Sequence, residues 1–292
     1  SIVAIFSLLL VGMAFGILVV NGYSRDKIRY YRLSAGVSRP LKIVCLGHWK
    51  WVAVLFLAGV VGFALLVPAA VLSYWLVRGI IVGEPLMILW YEMGNSLVVS
   101  AMAAVTAAIF SVPFAVFVVR YPSKFTFFLE RVGFTGYALP GVVVALSLVF
   151  FSANYASFMY QTIWLLVFAY VVLVFPSAFS ATRASFLQVS PRIEEAAGGL
   201  GHAPLSVMRK ITGPLVMPGV FMGAALVFLL TMKELPATLI LGPLDFDTLA
   251  TSIWSASSEA FFARAALPAL MLILISSVPM AFIVTRDRRI HI

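Results

Sequence analysis

The sequence predicts an all-α fold, a polytopic bundle of transmembrane helices with about seven spans, on three observations. Apolar residues make up 63% of the chain and charged residues only 11%, where a soluble domain carries about 25% charge. The apolar residues gather into runs of about 20, the length that crosses a hydrocarbon core as helix. Lysine and arginine are distributed asymmetrically between the connections, as in chains oriented by positive charge on the cytoplasmic side.

The runs occupy residues 1–20, 51–77, 96–119, 136–151, 161–180, 215–232 and 265–285. The fourth is short unless it begins nearer Phe125. Between the first two, Arg25, Lys27, Arg29, Arg32, Arg39, Lys42 and Lys50 mark residues 21–50 as a basic cytoplasmic linker. Alternation then puts Arg120, Lys124 and Arg131 on the same side, with Arg183, Arg192, Arg209 and Lys210, and Arg286, Arg288 and Arg289. Only Arg78, Lys233 and Arg264 of the twenty basic residues fall outside, so alternation and charge bias agree at every loop. The net charge of +9 is thereby assigned to membrane orientation rather than to nucleic acid. Residue 1 falls on the outer side, and the chain opens in an apolar run. The expected organisation is therefore the last span of a preceding module at 1–20, the linker at 21–50, and a six-span module at 51–292.

The connection 78–95, with Trp90 and Tyr91, suits the headgroup zone, where amphipathic rings are favoured. Within the runs, Pro113, Pro140 and Pro176 mark kinks that neighbouring helices can accommodate. Gly141, Gly219, Gly223 and Ala224 permit close helix approach.

The most informative polar stretch is 190–214, S-P-R-I-E-E-A-A-G-G-L-G-H-A-P-L-S-V-M-R-K-I-T-G-P. Ser190 is placed to N-cap a helix with Pro191 at its first position, where the N–H has no partner to lose. Gly198, Gly199 and Gly201 keep that helix short. Ile193, Ala196, Ala197 and Leu200 share one face, with Glu194 and Glu195 as a carboxylate rim, a shape suited to insertion into a groove. The plain alternative is an ordinary cytoplasmic loop. Glu195, Ala196, Ala197, Gly201, Ile211 and Pro214 stand in the order and spacing of the EAA loop of binding-protein-dependent ABC import permeases, and the chain resembles that MetI-like family. One departure is Gly213, where the family commonly has leucine. The resemblance implies that Glu194, Glu195, Ala196, Ala197, Gly201, Ile211 and Pro214 couple the chain to a cytoplasmic ABC ATPase dimer.

A second stretch, K-E-L-P-A-T-L-I-L-G-P-L-D-F-D-T-L-A-T-S-I-W at 233–254, begins where a span is expected to reach the outer face. Pro236 forces a break there. Lys-Glu-Leu-Pro-Ala-Thr and Phe-Asp-Thr-Leu-Ala resemble the corresponding segment of ferric-iron permeases, some of which fuse two modules in one chain. That resemblance makes Glu234, Asp245 and Asp247 candidates for contact with substrate or binding protein. The local alternative is that Lys233 and Glu234 end a helix and Asp245 and Asp247 cap the next.

Other chemistries find no support. Cys45 is the single cysteine, and His48, His202 and His291 lie far apart, so neither a disulfide nor a resident metal site is expected. No G-x-x-x-x-G-K-[ST] loop is present to cradle ATP phosphates. No run carries a charge near its midpoint for proton coupling. No H-E-x-x-H or G-x-S-x-G sequence suggests a hydrolase. The expected protein is a non-enzymatic permease subunit of a bacterial inner membrane, without cofactor. Its partners would be an ATPase dimer, an extracytoplasmic binding protein, a second permease module and the bilayer. Ferric iron is the expected substrate; thiamine, a phosphonate or a polyamine are alternatives, as is a channel or structural protein without an ATPase.

Overall fold

Helix is the only conformation that satisfies the backbone of a lone segment in hydrocarbon, and the apolar runs adopt it. A computed structural model describes residues 12–13, 46–84 and 89–288, with side chains to residue 281. The run 1–20 apart from residues 12–13, most of the linker 21–50, Cys45, Arg289 and His291 lie outside the described residues, as do the side chains of Arg286 and Arg288.

Three long helices make the core: α2 (Trp90–Arg120), α5 (Ile163–Gln188) and α7 (Pro204–Thr231), each touching the other two. The face of α2 turned inward is built from Ala103, Ala104, Ala107, Ser111 and Ala115, all buried. Its small side chains allow close packing, and the buried Ser111 hydroxyl is paired with Thr182 of α5 at 2.9 Å. On α7, a Cβ at position 223 would stand 2.9 Å from the Cα and carbonyl oxygen of Ala178. One at position 219 would stand 2.9 Å from the carbonyl of Ala181. The expected role of these glycines in close approach is thus met by backbone on backbone contact between α5 and α7.

Around this core lie α1 (Trp49–Val82) and α10 (Phe262–Arg288), which pack on each other through Trp75 against Phe262, with Gly79 against Ala263. Nearly every α1 side chain is exposed, and Gly79 is its one buried residue. That surface matches an apolar solvent.

The fourth run differs from expectation. Residues 136–151 are not one straight helix. α3 (Lys124–Phe134) starts at a capping box between Ser123 and Thr126. A 3₁₀ turn (Thr135–Ala138) and Pro140 follow, and α4 (Gly141–Tyr155) departs at 106°. Proline at the N-cap disfavours continuation from the preceding turn. Gly136 meets α5 so closely that a Cβ there would collide with the Val172 carbonyl. Pro140 therefore starts a helix instead of kinking one. Phe114, Phe134 and Phe175 surround Phe179 at 4.8–6.1 Å between rings beneath this bend. Among the described residues five helices are long and apolar enough to cross a membrane, or six, the number of runs expected from residue 51 onward, if the bent pair is one span.

Two short helices, α8 (Pro236–Leu241) and α9 (Leu249–Ser258), fill the connection between α7 and α10. One more, α6 (Pro191–Gly199), lies between α5 and α7 at the opposite end of the bundle. The polar contacts sort by end, as the alternation of loops requires. Arg120–Glu194 and Arg183–Glu130 join at one end. Arg264–Glu84, Tyr91–Asp245 and Asn95–Asp247 join at the other.

Candidate functional site

The short helix α6 is built by its boundaries. Ser190 is extended and Pro191 occupies the first turn, but the Ser190 hydroxyl makes no cap hydrogen bond; its carbonyl accepts from Ile193 instead. At the other end the His202 N–H donates to the Ala197 carbonyl at 3.2 Å and the Gly201 N–H to Gly198 at 2.9 Å. Those two bonds form a Schellman closure, which needs a left-handed residue after the cap. Gly201 supplies it with φ +87°. Gly198 and Gly199 have ordinary backbone angles and open space where a side chain would be.

The four residues expected on one face separate in the structure. Ala197 is buried, whereas Ile193, Ala196 and Leu200 are exposed, Leu200 at 82%. With Gly198 and Gly199 they leave a small-residue, apolar surface open at the tip of the loop.

The two glutamates also separate. Glu195 is exposed. Glu194 turns inward, contrary to its expected place on the rim, and its Oε1 accepts from Arg120 Nη2 at 2.8 Å and from Thr212 Oγ1 at 2.9 Å. Arg120 Nη2 also donates to the Val189 carbonyl at 3.2 Å, and the guanidinium lies 6.0 Å from the Phe186 ring centre. Thr212 is fully buried. One carboxylate therefore gathers the end of α2, the end of α5 and the start of α7. In the sequence Arg120 is legible only as an orienting charge, and Thr212 carries no signal of its own. These partners lie 74 and 18 residues from Glu194, beyond any local pattern.

Downstream, Met208–Thr212 forms a π-helical turn inside α7. The Gly213 N–H reaches the Met208 carbonyl, and a Cβ at 213 would stand 2.8 Å from that oxygen. The glycine that departs from the usual leucine is thus accommodated by the wider turn. Ile211 is partly buried, and Pro214 is exposed in the first turn of the segment Gly213–Thr231.

At the other end, the segment after α7 starts inside the bundle rather than at its outer face. Gly223 lies against Ala178, and Tyr170 hydrogen-bonds to Thr238. The end of α7 is thus level with Tyr170, seven residues or about 10 Å of helix below the start of α5. In α8, Ala237 and Leu241 are buried. Glu234 is half-buried at the break; its Oε1 accepts from the Ala237 N–H at 3.3 Å, and a Cβ on Gly141 would come 2.8 Å from that oxygen. A carboxylate therefore stands where the first turns of α4 and α8 converge. Asp245 and Asp247 are exposed at the rim. Their carbonyls accept from Tyr91 and from Asn95 of α2. Neither caps α9. Thr248 does so through a capping box with Thr251, whose hydroxyl also donates to Asp247 Oδ1 at 3.2 Å. Among the described residues no group of three or more His, Cys, Asp or Glu converges to hold a metal.

The chain is 37% identical over 273 residues to the Fe(3+)-transport system permease protein FbpB 2 of Haemophilus influenzae, covering 91% of this chain and 54% of that protein. It thus spans about half the length of that relative. A putative 2-aminoethylphosphonate transport system permease protein, PhnV of Salmonella typhimurium, is 29% identical over 64% of this chain and 71% of its own length. Among solved structures, the fold is similar to that of a bacterial alginate ABC transporter in complex with an alginate pentasaccharide-bound periplasmic protein. That match has a TM-score of 0.63 and 14% identity, over 83% of this chain and 98% of the other. The MetNI methionine ABC transporter matches with a TM-score of 0.56 and 14% identity, over 74% of this chain and 96% of the other. Residues 107–292 match the family described as binding-protein-dependent transport system inner membrane component. The bent α3–α4 pair, the three-helix core and the α6 loop all lie wholly or largely within that match, and the chain belongs to this family of multi-pass inner-membrane permeases.

Proposed function

We propose that this chain is the permease part of an ATP-driven importer that moves ferric iron delivered by an extracytoplasmic binding protein. The observation that carries the reading is the α6 loop, a rigidly closed helix whose free surface is small and apolar, at the basic end of the bundle. Such a surface suits a groove on a cytoplasmic ATPase. In this reading Glu195, Ala196 and the open Gly198–Gly199 edge meet the ATPase, Ala197 and Gly201 hold the helix in shape, and Ile211 and Pro214 carry the loop into α7. Glu194 belongs to the same unit but acts from behind it. ATP is bound and hydrolysed by a dimer of separate subunits, and the permease rocks between inward and outward access. Asp245 and Asp247 offer exposed carboxylates to a docked binding protein, and Glu234 offers one inside the bundle along the route.

Ferric iron is favoured by the 37% identity to an Fe(3+)-transport permease over nearly the whole chain. Residues 1–20 and 21–50 are read as the last span of a preceding module and its linker, with 51–292 as the second module. A relative of which this chain covers 54% has length for both.

The test is ATP hydrolysis by the full-length permease and its ATPase in liposomes, with the cognate binding protein loaded in turn with ferric ion, a phosphonate and a polyamine. Stimulation by the ferric form alone is expected. Stimulation by another ligand would transfer the assignment to that substrate. Failure of any ATPase to co-purify would remove the importer reading.

A further inference from the structure

Arg120 ends α2, and its side chain is 90% buried, yet two of its three guanidinium nitrogens, Nε and Nη1, make no hydrogen bond. The whole attachment runs through Nη2, which is shared between Glu194 Oε1 and the Val189 carbonyl. A carboxylate and a guanidinium held for strength alone favour two parallel bonds. Here a single nitrogen meets a single oxygen, and Thr212 binds that same oxygen from the π turn of α7. Two spans, α2 through Arg120 and α7 through Thr212, thus meet the loop helix at one atom, and Arg120 ties in the end of α5 through the Val189 carbonyl. A joint of this form keeps the helix attached while leaving it free to turn, and π turns recur at functional positions in helices.

We infer that Arg120, Glu194 and Thr212 form a pivot that passes displacement of α6 to α2, α5 and α7; the inference rests on the importer reading above. Arg120 and Thr212 are positioning residues here, because neither lies on the free surface of α6. Glu195 and Glu194, adjacent in sequence, divide the work: one faces the partner and the other faces the spans. The pivot predicts a separation that a plain packing role does not. When it is loosened the ATPase stays bound and hydrolyses ATP, but the stroke no longer reaches the membrane helices.

The experiment uses the full-length permease with its ATPase and binding protein in liposomes, and reads iron taken up per ATP hydrolysed from ferric-loaded binding protein. Arg120→Ala is expected to lower that ratio roughly tenfold, and Thr212→Val roughly threefold, with ATPase retention and basal hydrolysis unchanged. The reversed pair, Arg120→Glu with Glu194→Arg, is expected to recover much of the ratio lost in either single variant. An unchanged ratio in Arg120→Ala overturns the pivot, as does a loss of ATPase retention in step with uptake. If Arg120→Ala does not assemble, Thr212→Val decides by the same ratio, and a wild-type value overturns the proposal. A wild-type permease that retains no ATPase would instead bring down the importer reading, and the pivot with it.

Discussion

Gly201 takes φ +87°, whereas Gly198 and Gly199, three and two residues earlier, take ordinary angles with empty space beside them. The sequence shows three similar glycines; only the Schellman bonds tell them apart. Gly201→Val should cost about 1–2 kcal/mol locally, the penalty for an L side chain in the left-handed region, and open the end of α6. Membrane insertion should persist while uptake falls, and Gly201→Asn should fall less because asparagine tolerates that region. Uptake normalised to permease in the membrane fraction checks this, and equal uptake by Gly201→Val and wild type would refute it. The glutamates give the same lesson. Glu194 and Glu195 look interchangeable as a rim, and the local helical pattern had no means of showing that Arg120, 74 residues away, turns one of them inward.

At the scale of elements, legibility followed the length of the apolar run. α1, α2, α5, α7 and α10 are continuous enough to be read directly, and the structure extends several of them past the apolar limits because a polar residue can prolong a helix into the interface. The bend in the pair α3–α4 is not legible in the sequence, since hydropathy counts residues and is blind to direction, while the 106° turn depends on Pro140 and on the close fit of Gly136 against Val172. The level at which the outer segment starts within the bundle is hidden from the sequence for a related reason. Its level is fixed by the antiparallel fit of α5 and α7, in which Gly219 and Gly223, spaced as a G-x-x-x-G pair, take Ala181 and Ala178. That fit can be tested. Gly223→Leu must displace backbone rather than a flexible side-chain tip, so it should destabilise the bundle by about 1–3 kcal/mol. Leucine at Gly198, with nothing within 4 Å, should leave stability unchanged and weaken only ATPase retention. Thermal unfolding of both variants in detergent separates the two effects, and a stable Gly223→Leu would argue against backbone contact there.

The molecule as a whole presents two polar ends with different chemistry, and its orientation rests on charge rather than on any contact. The basic end carries the α6 loop; the other carries Asp245, Asp247 and the Glu84–Arg264 pair. Two leucines mark these ends with nearly equal exposure, Leu200 at 82% and Leu244 at 79%, so a difference in their reactivity reports sidedness and not burial. In a background with Cys45→Ser, which removes the single native thiol, Leu244→Cys should react with a membrane-impermeant maleimide added to spheroplasts. Leu200→Cys should stay unlabelled until the membranes are inverted. Addition of the ATPase to inverted membranes should then protect Leu200→Cys, because the apolar tip of α6 is the surface proposed to enter its groove, while Leu244→Cys, now in the lumen, is unaffected. Labelling of Leu200→Cys from outside intact spheroplasts would reverse the topology. It would also leave the α6 loop on the side of the membrane where no ATP is available to move it.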